Sequence, residues 1–347
     1  MNGLLLTATG GALPGRTVTN DELSQMVDTS DAWIASRTGI RTRHWCTAEE
    51  SAATLAIAAA RQALERSGLS PSDISCCVCA TLSAPDATPS VACQVQAALG
   101  LPEDTPCFDL NAACTGFVYA LHTMECLLNA SPRKFGLVVG AEALSKVVDW
   151  TDRGSCILFG DGAGAVVVER CKAESRAVEE KQIPAAGILG RALHSDGTGG
   201  GVLQCDAREL TTPYARTSAV KTDQNQPMDD REHFIQMDGQ EVYRFATRRV
   251  PQCIEEALSD AGLTVPDIDL FVLHQANARI IDAVAKRLHA DRKKFPTNLE
   301  RVGNLSSASI PVLLDELHKQ GKLHRGDRIV LAGFGAGLTI GACVMTW

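Results

Sequence analysis

The chain has 347 residues, of which 45% are apolar and 21% charged, and its formal net charge is -8. That length exceeds one simple hydrophobic core and points to two similar domains or halves, with the composition of an ordinary globule. The acidic balance sets the protein as a whole against nucleic acid as a partner, leaving room only for local basic patches.

The first residues, MNGLLLTATGGALPG, carry no basic segment ahead of a short apolar run. They predict a strand and a turn, not a signal peptide. No stretch approaches the roughly 18 uninterrupted apolar residues of a membrane span. Thirteen cysteines without an export signal fit a reducing, cytoplasmic compartment, where most are thiols packed as small hydrophobes.

Further along, a segment recurs. Ala63 to Ser75 reads ALERSGLSPSDIS, and Ala257 to Asp269 reads ALSDAGLTVPDID. Each predicts the end of an amphipathic helix, a glycine C-cap and a turn. An apolar run follows each, Cys76–Ala80 and Leu270–Leu273. Such short runs suit strands buried on both faces. The match continues in order through DLNAAC (Asp109 to Cys114) and GNLSS (Gly303 to Ser307), each ahead of a helix, with Asn111 and Asn304 in comparable places. It then runs through the strands KFGLVVG (134–140) and DRIVLAG (327–333). It ends in two glycine-rich segments expected to be hairpins, FGDGAGAVVVE (159–169) and GFGAGLTIGACVM (333–345). The reading is two α/β halves related by a pseudo-twofold axis, residues 1–172 and 173–347. Ser195 to His233 stands apart as a long polar excursion without periodicity, either functional or a tolerated insertion.

Three residues draw attention as chemistry. Cys114 precedes a helical pattern marked by Phe117, Leu121 and Met124. A thiol at a helix N-terminus meets the positive end of the backbone dipole, which favours the thiolate, and a thiolate can store an acyl group as a thioester. Taken alone, it also suits a buried structural cysteine. His274 ends a buried strand, where functional side chains of α/β sheets gather, though a hydrogen-bonded core histidine fits as well. Asn304 alone reads as a turn or N-cap residue. The repeat places Cys114 and Asn304 before matching helices, facing one axis. Competing motifs fail. Cys76 and Cys79 lie in an apolar strand with no second pair at zinc spacing. The GDGAGA of 160–165 leads into a strand where a dinucleotide loop needs a helix.

With these residues in place, the chain resembles the thiolase-fold condensing enzymes, and within them the β-ketoacyl-acyl carrier protein synthase III family. The resemblance spans nearly the whole chain. It rests on VDTSDAWIASRTGIRTRH (27–44), ATPSVACQVQAALG (87–100), DLNAACTGF (109–117), TDRGSCILFGDGAGA (151–165), QMDGQEVYRFA (236–246), HQAN (274–277), GNLSSASIP (303–311) and GFGAGLT (333–339). It implies a layered αβαβα thiolase-like fold and a homodimer. It implies Cys114 as nucleophile, His274 and Asn304 as hydrogen-bond donors to a malonyl thioester, and the N–H groups of Cys114 and Ala336 as an oxyanion hole. It implies acyl-CoA and malonyl-acyl carrier protein as substrates, with no metal or redox cofactor. A starter-unit role in polyketide or quinolone-type metabolism is the alternative.

By the same resemblance, the CoA arm maps onto Trp33, Arg37 and Arg153, with Thr29, Phe159, Gly239, Asn277 and Ile280 nearby. An acidic carrier protein calls for a basic docking patch, and Arg279, Lys286 and Arg287 on the helix after HQAN, with Arg248 and Arg249 on a preceding helix, offer one, though they equally suit a solvated helix face. Two departures stand out. Ala336 occupies a position where many members have Gly. Thr88 stands where many carry Phe and where the partner subunit closes the acyl pocket, which implies longer or more branched primers than acetyl.

Overall fold

The computed structural model describes residues 2–172, 175–178, 181–184, 187–205 and 234–347. The sequence repeat has a structural counterpart. The helix Ala52–Ser67 ends at Gly68, in the left-handed region at φ 69°, and a short turn Pro71–Asp73 leads into the strand Ile74–Ala80. Likewise, the helix Gly239–Asp260 is followed by Gly262 at φ 65°, the turn Val265–Asp267 and the strand Leu270–Leu273.

Two sheets organise the chain. The first runs in the order 2–12, 161–172, 135–143, 74–80, 107–110. The second runs 187–195, 339–346, 328–335, 270–273. The first three strands of each sheet pair antiparallel, and the later pairs are parallel. The shared order supports the division we propose between residues 1–172 and 173–347.

The central strands are buried on both faces, and successive side chains point to opposite sides. Cys76, Val78 and Ala80 face inward onto Phe117, Leu121 and Met124 of the helix Gly116–Ala130. Cys77 and Cys79 face outward onto the helices Ala52–Ser67 and Val91–Leu99. Ile329 and Leu331 of the second sheet face the same inner layer, which also holds Ile310, Leu313 and Leu314 of the helix Ser309–Lys319. Val330, Ala332 and Phe334 face outward onto the helices Gly239–Asp260 and Ala278–Arg287. The result is a thiolase-like αβαβα stack with two central helices between two sheets. The CxxC of Cys76 and Cys79 straddles a strand, its thiols on opposite faces, as packing residues do.

One expectation is corrected. The segment 333–345 is a hairpin, since the strands Arg328–Gly335 and Thr339–Thr346 pair across a tight turn. The segment 159–169 is not. Its strand, Asp161–Lys172, pairs antiparallel with Phe135–Ala143, but residues 144–160 intervene. That inserted stretch supplies Ile157, Leu158 and Phe159 to the site.

Candidate active site

Two turns meet at the interface of the sheets. In the first, Asn111 Oδ1 accepts from the N–H of Ala113 at 3.1 Å, Ala113 takes φ 45°, and a single turn Ala113–Thr115 opens the helix Gly116–Ala130. In the second, Asn304 Oδ1 accepts from the N–H of Ser306 at 2.8 Å, Ser306 takes φ 46°, and the turn Ser306–Ala308 opens the helix Ser309–Lys319. A positive φ at Ala or Ser is strained, and such strain gathers at functional sites.

The bond to Ser306 also orients the Asn304 amide. With Oδ1 taken, Nδ2 is the end left to the cavity, so the side chain serves there as a donor. Residues 158–160 brace its backbone, with Asn304 N–H donating to Leu158 O at 2.9 Å and Gly160 N–H to Asn304 O at 3.0 Å.

His274 closes the strand Leu270–Leu273, its N–H donating to Ala332 O at 2.8 Å. Its ring lies edge-on to Phe334, centroids 5.2 Å apart, and its Nδ1 is buried without a hydrogen-bond partner among the described residues. Gly335 presses on Cys114. A β-carbon there would fall 2.9 Å from Cys114 Cβ and 3.3 Å from Sγ, so only glycine lets the strand end approach. Ala336 follows it without a positive φ, so its β-carbon adds no backbone strain.

Cys114, His274, Asn304 and Ala336 line one cavity of about 1120 Å³. Trp33, Arg37, Phe159, Gly239, Asn277 and Ile280 line it too. Trp33 is 38% exposed and is no core residue; the guanidinium groups of Arg37 and Arg153 lie 5.9 and 5.5 Å from its ring centre. Arg153 reaches that ring from outside the lining, with Nη1 donating to Asp28 O at 3.0 Å. Asn277 caps the helix Ala278–Arg287 by accepting from Arg279 N–H at 2.9 Å, and its Nδ2 donates to Arg37 O at 3.2 Å. It thereby joins the Trp33 helix to the His274 loop. Thr29 and Thr88 are not part of the lining, and Thr88 is exposed. Arg248, Arg279, Lys286 and Arg287 are exposed and Arg249 half-buried, all outside the cavity.

The electrostatics overturn one expectation. Burial pushes the Cys114 thiol up to about 12, against a smaller pull downward from the Ser306 hydroxyl. Desolvation thus opposes the thiolate that the helix start favours, and burial prefers the thiol. Burial likewise pushes His274 down to about 3, so its imidazole is neutral. Gly335, Ser306 and the lining residues Gly201, Leu203, Gln204 and Cys205 went unmarked in the sequence reading. The last four begin the excursion after Ser195, whose residues 206–233 lie outside the described residues.

Comparison with known proteins agrees with this geometry. Residues 108–197 match the model of 3-oxoacyl-[acyl-carrier-protein] synthase III, and residues 258–347 match the model of its C-terminal part. The chain belongs to the 3-oxoacyl-[acyl-carrier-protein] synthase III family. The β-ketoacyl-[acyl-carrier-protein] synthase III of Clostridium acetobutylicum is 42% identical across 100% of this chain and 99% of its own. The solved synthase III of Aquifex aeolicus superposes with a TM-score of 0.85 at 36% identity, covering 99% of this chain and 100% of the other. The priming β-ketosynthase of the R1128 polyketide pathway superposes with a TM-score of 0.83 at 32% identity, covering 99% and 96%. Among the described residues, no helix is long and apolar enough to cross a membrane.

Proposed function

We propose that this synthase III family member joins a short acyl-CoA primer to malonyl-acyl carrier protein with loss of carbon dioxide, giving a β-ketoacyl-acyl carrier protein and starting fatty-acid synthesis. The observation that carries the reading is the convergence of Cys114, His274, Asn304 and Ala336 in a cavity bordered by Trp33 and Arg37.

In the first half-reaction, Cys114 Sγ attacks the acyl thioester while the N–H groups of Cys114 and Ala336 hold the oxyanion. A thiol held near 12 must lose its proton as the S–C bond forms. That proton is taken up by the departing CoA thiolate, which leaves as the free thiol, while His274 stays neutral in the same cavity. In the second half-reaction, His274 and Asn304 Nδ2 donate to the malonyl thioester carbonyl and stabilise the enolate formed as carbon dioxide leaves. The enolate carbon attacks the acyl-Cys114 carbonyl, and Cys114 departs as the thiolate and takes a proton from solvent water. Both steps balance without a metal or redox group.

Trp33, Arg37 and Arg153 are assigned to the adenine end of CoA, with Thr29, Phe159, Gly239, Asn277 and Ile280 along the arm. Arg248, Arg249, Arg279, Lys286 and Arg287 are assigned to an acidic carrier protein. We assign a homodimer, in which Thr88, exposed on the single chain, meets the acyl pocket of the partner, and a cytoplasmic location.

Intact-mass measurement tests the core of this reading. After incubation with acyl-CoAs, an adduct should form on Cys114 and discharge on adding malonyl-acyl carrier protein. An adduct that persists unchanged in Cys114→Ala overturns it. Malonyl groups offered on fatty-acid and polyketide carrier proteins separate the fatty-acid role from a starter-unit role.

A further inference from the structure

One buried ionisable group near the nucleophile has no part in the steps above. Glu142, at the end of the strand Phe135–Ala143, is fully buried. Among the described residues no ion pair reaches it. Its Oε2 accepts from Ser83 Oγ at 2.5 Å, Leu82 N–H at 3.2 Å and Thr81 Oγ1 at 3.4 Å. Its Oε1 lies 2.8 Å from Ser307 Oγ, which also lies 2.8 Å from Ala80 O.

The Oε1 side is where proton counting decides. A serine hydroxyl has one proton. With an ionised Glu142, Ser307 can bond Ala80 O or Oε1, and the other 2.8 Å oxygen–oxygen contact has no proton in it. With a proton on Oε1, Glu142 donates to Ser307 Oγ and Ser307 donates to Ala80 O, so both contacts are bonded. The Oε2 side is already supplied. Ser83 Oγ accepts from Ala143 N–H at 2.8 Å and Thr81 Oγ1 from Ser83 N–H at 3.2 Å, which leaves both hydroxyl protons for Oε2. A carboxylic acid therefore satisfies this network where a carboxylate leaves a gap.

We propose that Glu142 works as a protonated acid, a positioning residue that pins Ser307, and through it the Asn304–Ser306 turn, against Ala80 without placing a negative charge beside Cys114. The role deepens the condensing reading above and rests on it for the purpose of the turn, but not for the protonation. Burial also pushes the Glu142 carboxyl up from its ordinary value. The titratable groups facing it are Cys79, on the strand Ile74–Ala80, and Cys114, and a charge on Glu142 would push both thiols further up. Keeping Glu142 neutral spares the nucleophile that added penalty.

Glutamine copies the protonated acid: its NH2 can donate to Ser307 and its oxygen can accept the three donors on the other side. Glu142→Gln should keep acyl loading and malonyl discharge within about threefold of the parent at neutral pH, whereas Glu142→Ala should lose discharge by more than loading. Wherever the parent carries charge on Glu142, that charge opposes the Cys114 thiolate, so Cys114 in Glu142→Gln should alkylate faster than in the parent and never slower. The infrared spectrum of the unmodified protein supplies a readout independent of variant folding. It should contain the carbonyl stretch of a protonated carboxylic acid, and Ser307→Ala, which removes the acceptor of that proton, should move the band. The ionised alternative leans on the short Ser83 contact, since 2.5 Å is a length typical of a hydroxyl on a carboxylate. No protonated-acid band, or equal losses in Glu142→Gln and Glu142→Ala, overturns the proposal. If the band is present and condensation is absent, the fault lies with the functional reading and not with Glu142.

Discussion

The Cys114 turn and the Asn304 turn share a backbone and differ in what they present to the cavity. Both use an asparagine-closed turn, a residue near φ 45° and a single tight turn ahead of a central helix. Both lean on a glycine of the opposite sheet region: a β-carbon on Gly333 would fall 3.0 Å from Cys114 O, and one on Gly140 would fall 2.4 Å from Ser307 O. Yet Asn111 is exposed while Asn304 is buried in the cavity lining, and Cys114 opens to the cavity while Ser307, at the matching place, is bonded inward to Ala80 and Glu142. One scaffold thus presents a thiol from one side and an amide donor from the other. The difference lies in which side chain of each turn faces the shared cavity.

The largest effect should come from separating the two turns. Cys114→Ala should remove the acyl adduct and lower condensation by about 10⁴-fold or more, as loss of a nucleophile does. Asn304→Ala should leave the adduct forming and lower its discharge by malonyl-acyl carrier protein by about 10²- to 10³-fold, the cost of one donor to a developing oxyanion. An Asn304→Ala protein that fails to acylate would mean that the turns do not divide the work. Next comes Gly335→Ala. A β-carbon 2.9 Å from Cys114 Cβ has to displace the nucleophile. A displacement near 1 Å costs about 10²-fold. Loading rates measured by mass should fall while the Trp33 end still binds CoA, and unchanged loading would show that the strand end yields.

How far the sequence carried this picture depends on which interaction decided each feature. Local periodicity and turn chemistry were legible: the strand Leu270–Leu273, the glycine at 68 and the helices after Cys114 and Asn304 lie where the pattern puts them. The layered fold and the trio Cys114, His274 and Asn304 followed from the repeat and the family motifs. Long-range packing was not legible. The approach of Gly335 to Cys114 joins residues far apart in the chain, and the antiparallel pairing of 161–172 across the intervening 144–160 has no local signal. Desolvation was misjudged for the same reason, because the dipole at Cys114 is a local property and its burial is not. Glu142, a single acid in the run VVGAEAL, was the visible hint of a buried polar network.

The protonation states give a third, smaller contrast. Below about 12, the thiolate fraction of Cys114 rises roughly tenfold per pH unit, so its alkylation by iodoacetamide should be slow at neutral pH and climb steadily with pH. The exposed Cys93 and Cys126 should label first. Ser306 pulls the thiol down, so Ser306→Ala should slow Cys114 labelling further. His274, neutral above about 3, should add no acid limb of its own to the loading profile between pH 5 and 8. Cys114 labelling ahead of the exposed thiols at neutral pH would mean that the dipole outweighs burial after all.

The smallest effect is the most direct probe of the comparison. Ser307 occupies the Cys114 position of the second turn, so a thiol introduced there by Ser307→Cys, in a Cys114→Ala background, has the same turn and the same helix start. If those local features made the nucleophile, the double variant would regain an acyl adduct. The inward contacts argue otherwise. The Ser307 side chain points at Ala80 O and Glu142 and is no part of the cavity lining that holds Ala336 and His274. No adduct should appear on the introduced thiol. A loss of stability of about 1 kcal/mol, from replacing a bonded hydroxyl by a weaker donor, should be seen in denaturant unfolding. Mass spectrometry reads the first result and the unfolding midpoint the second. Acylation at position 307 would show that the turn, and not the direction its side chain faces, confers reactivity.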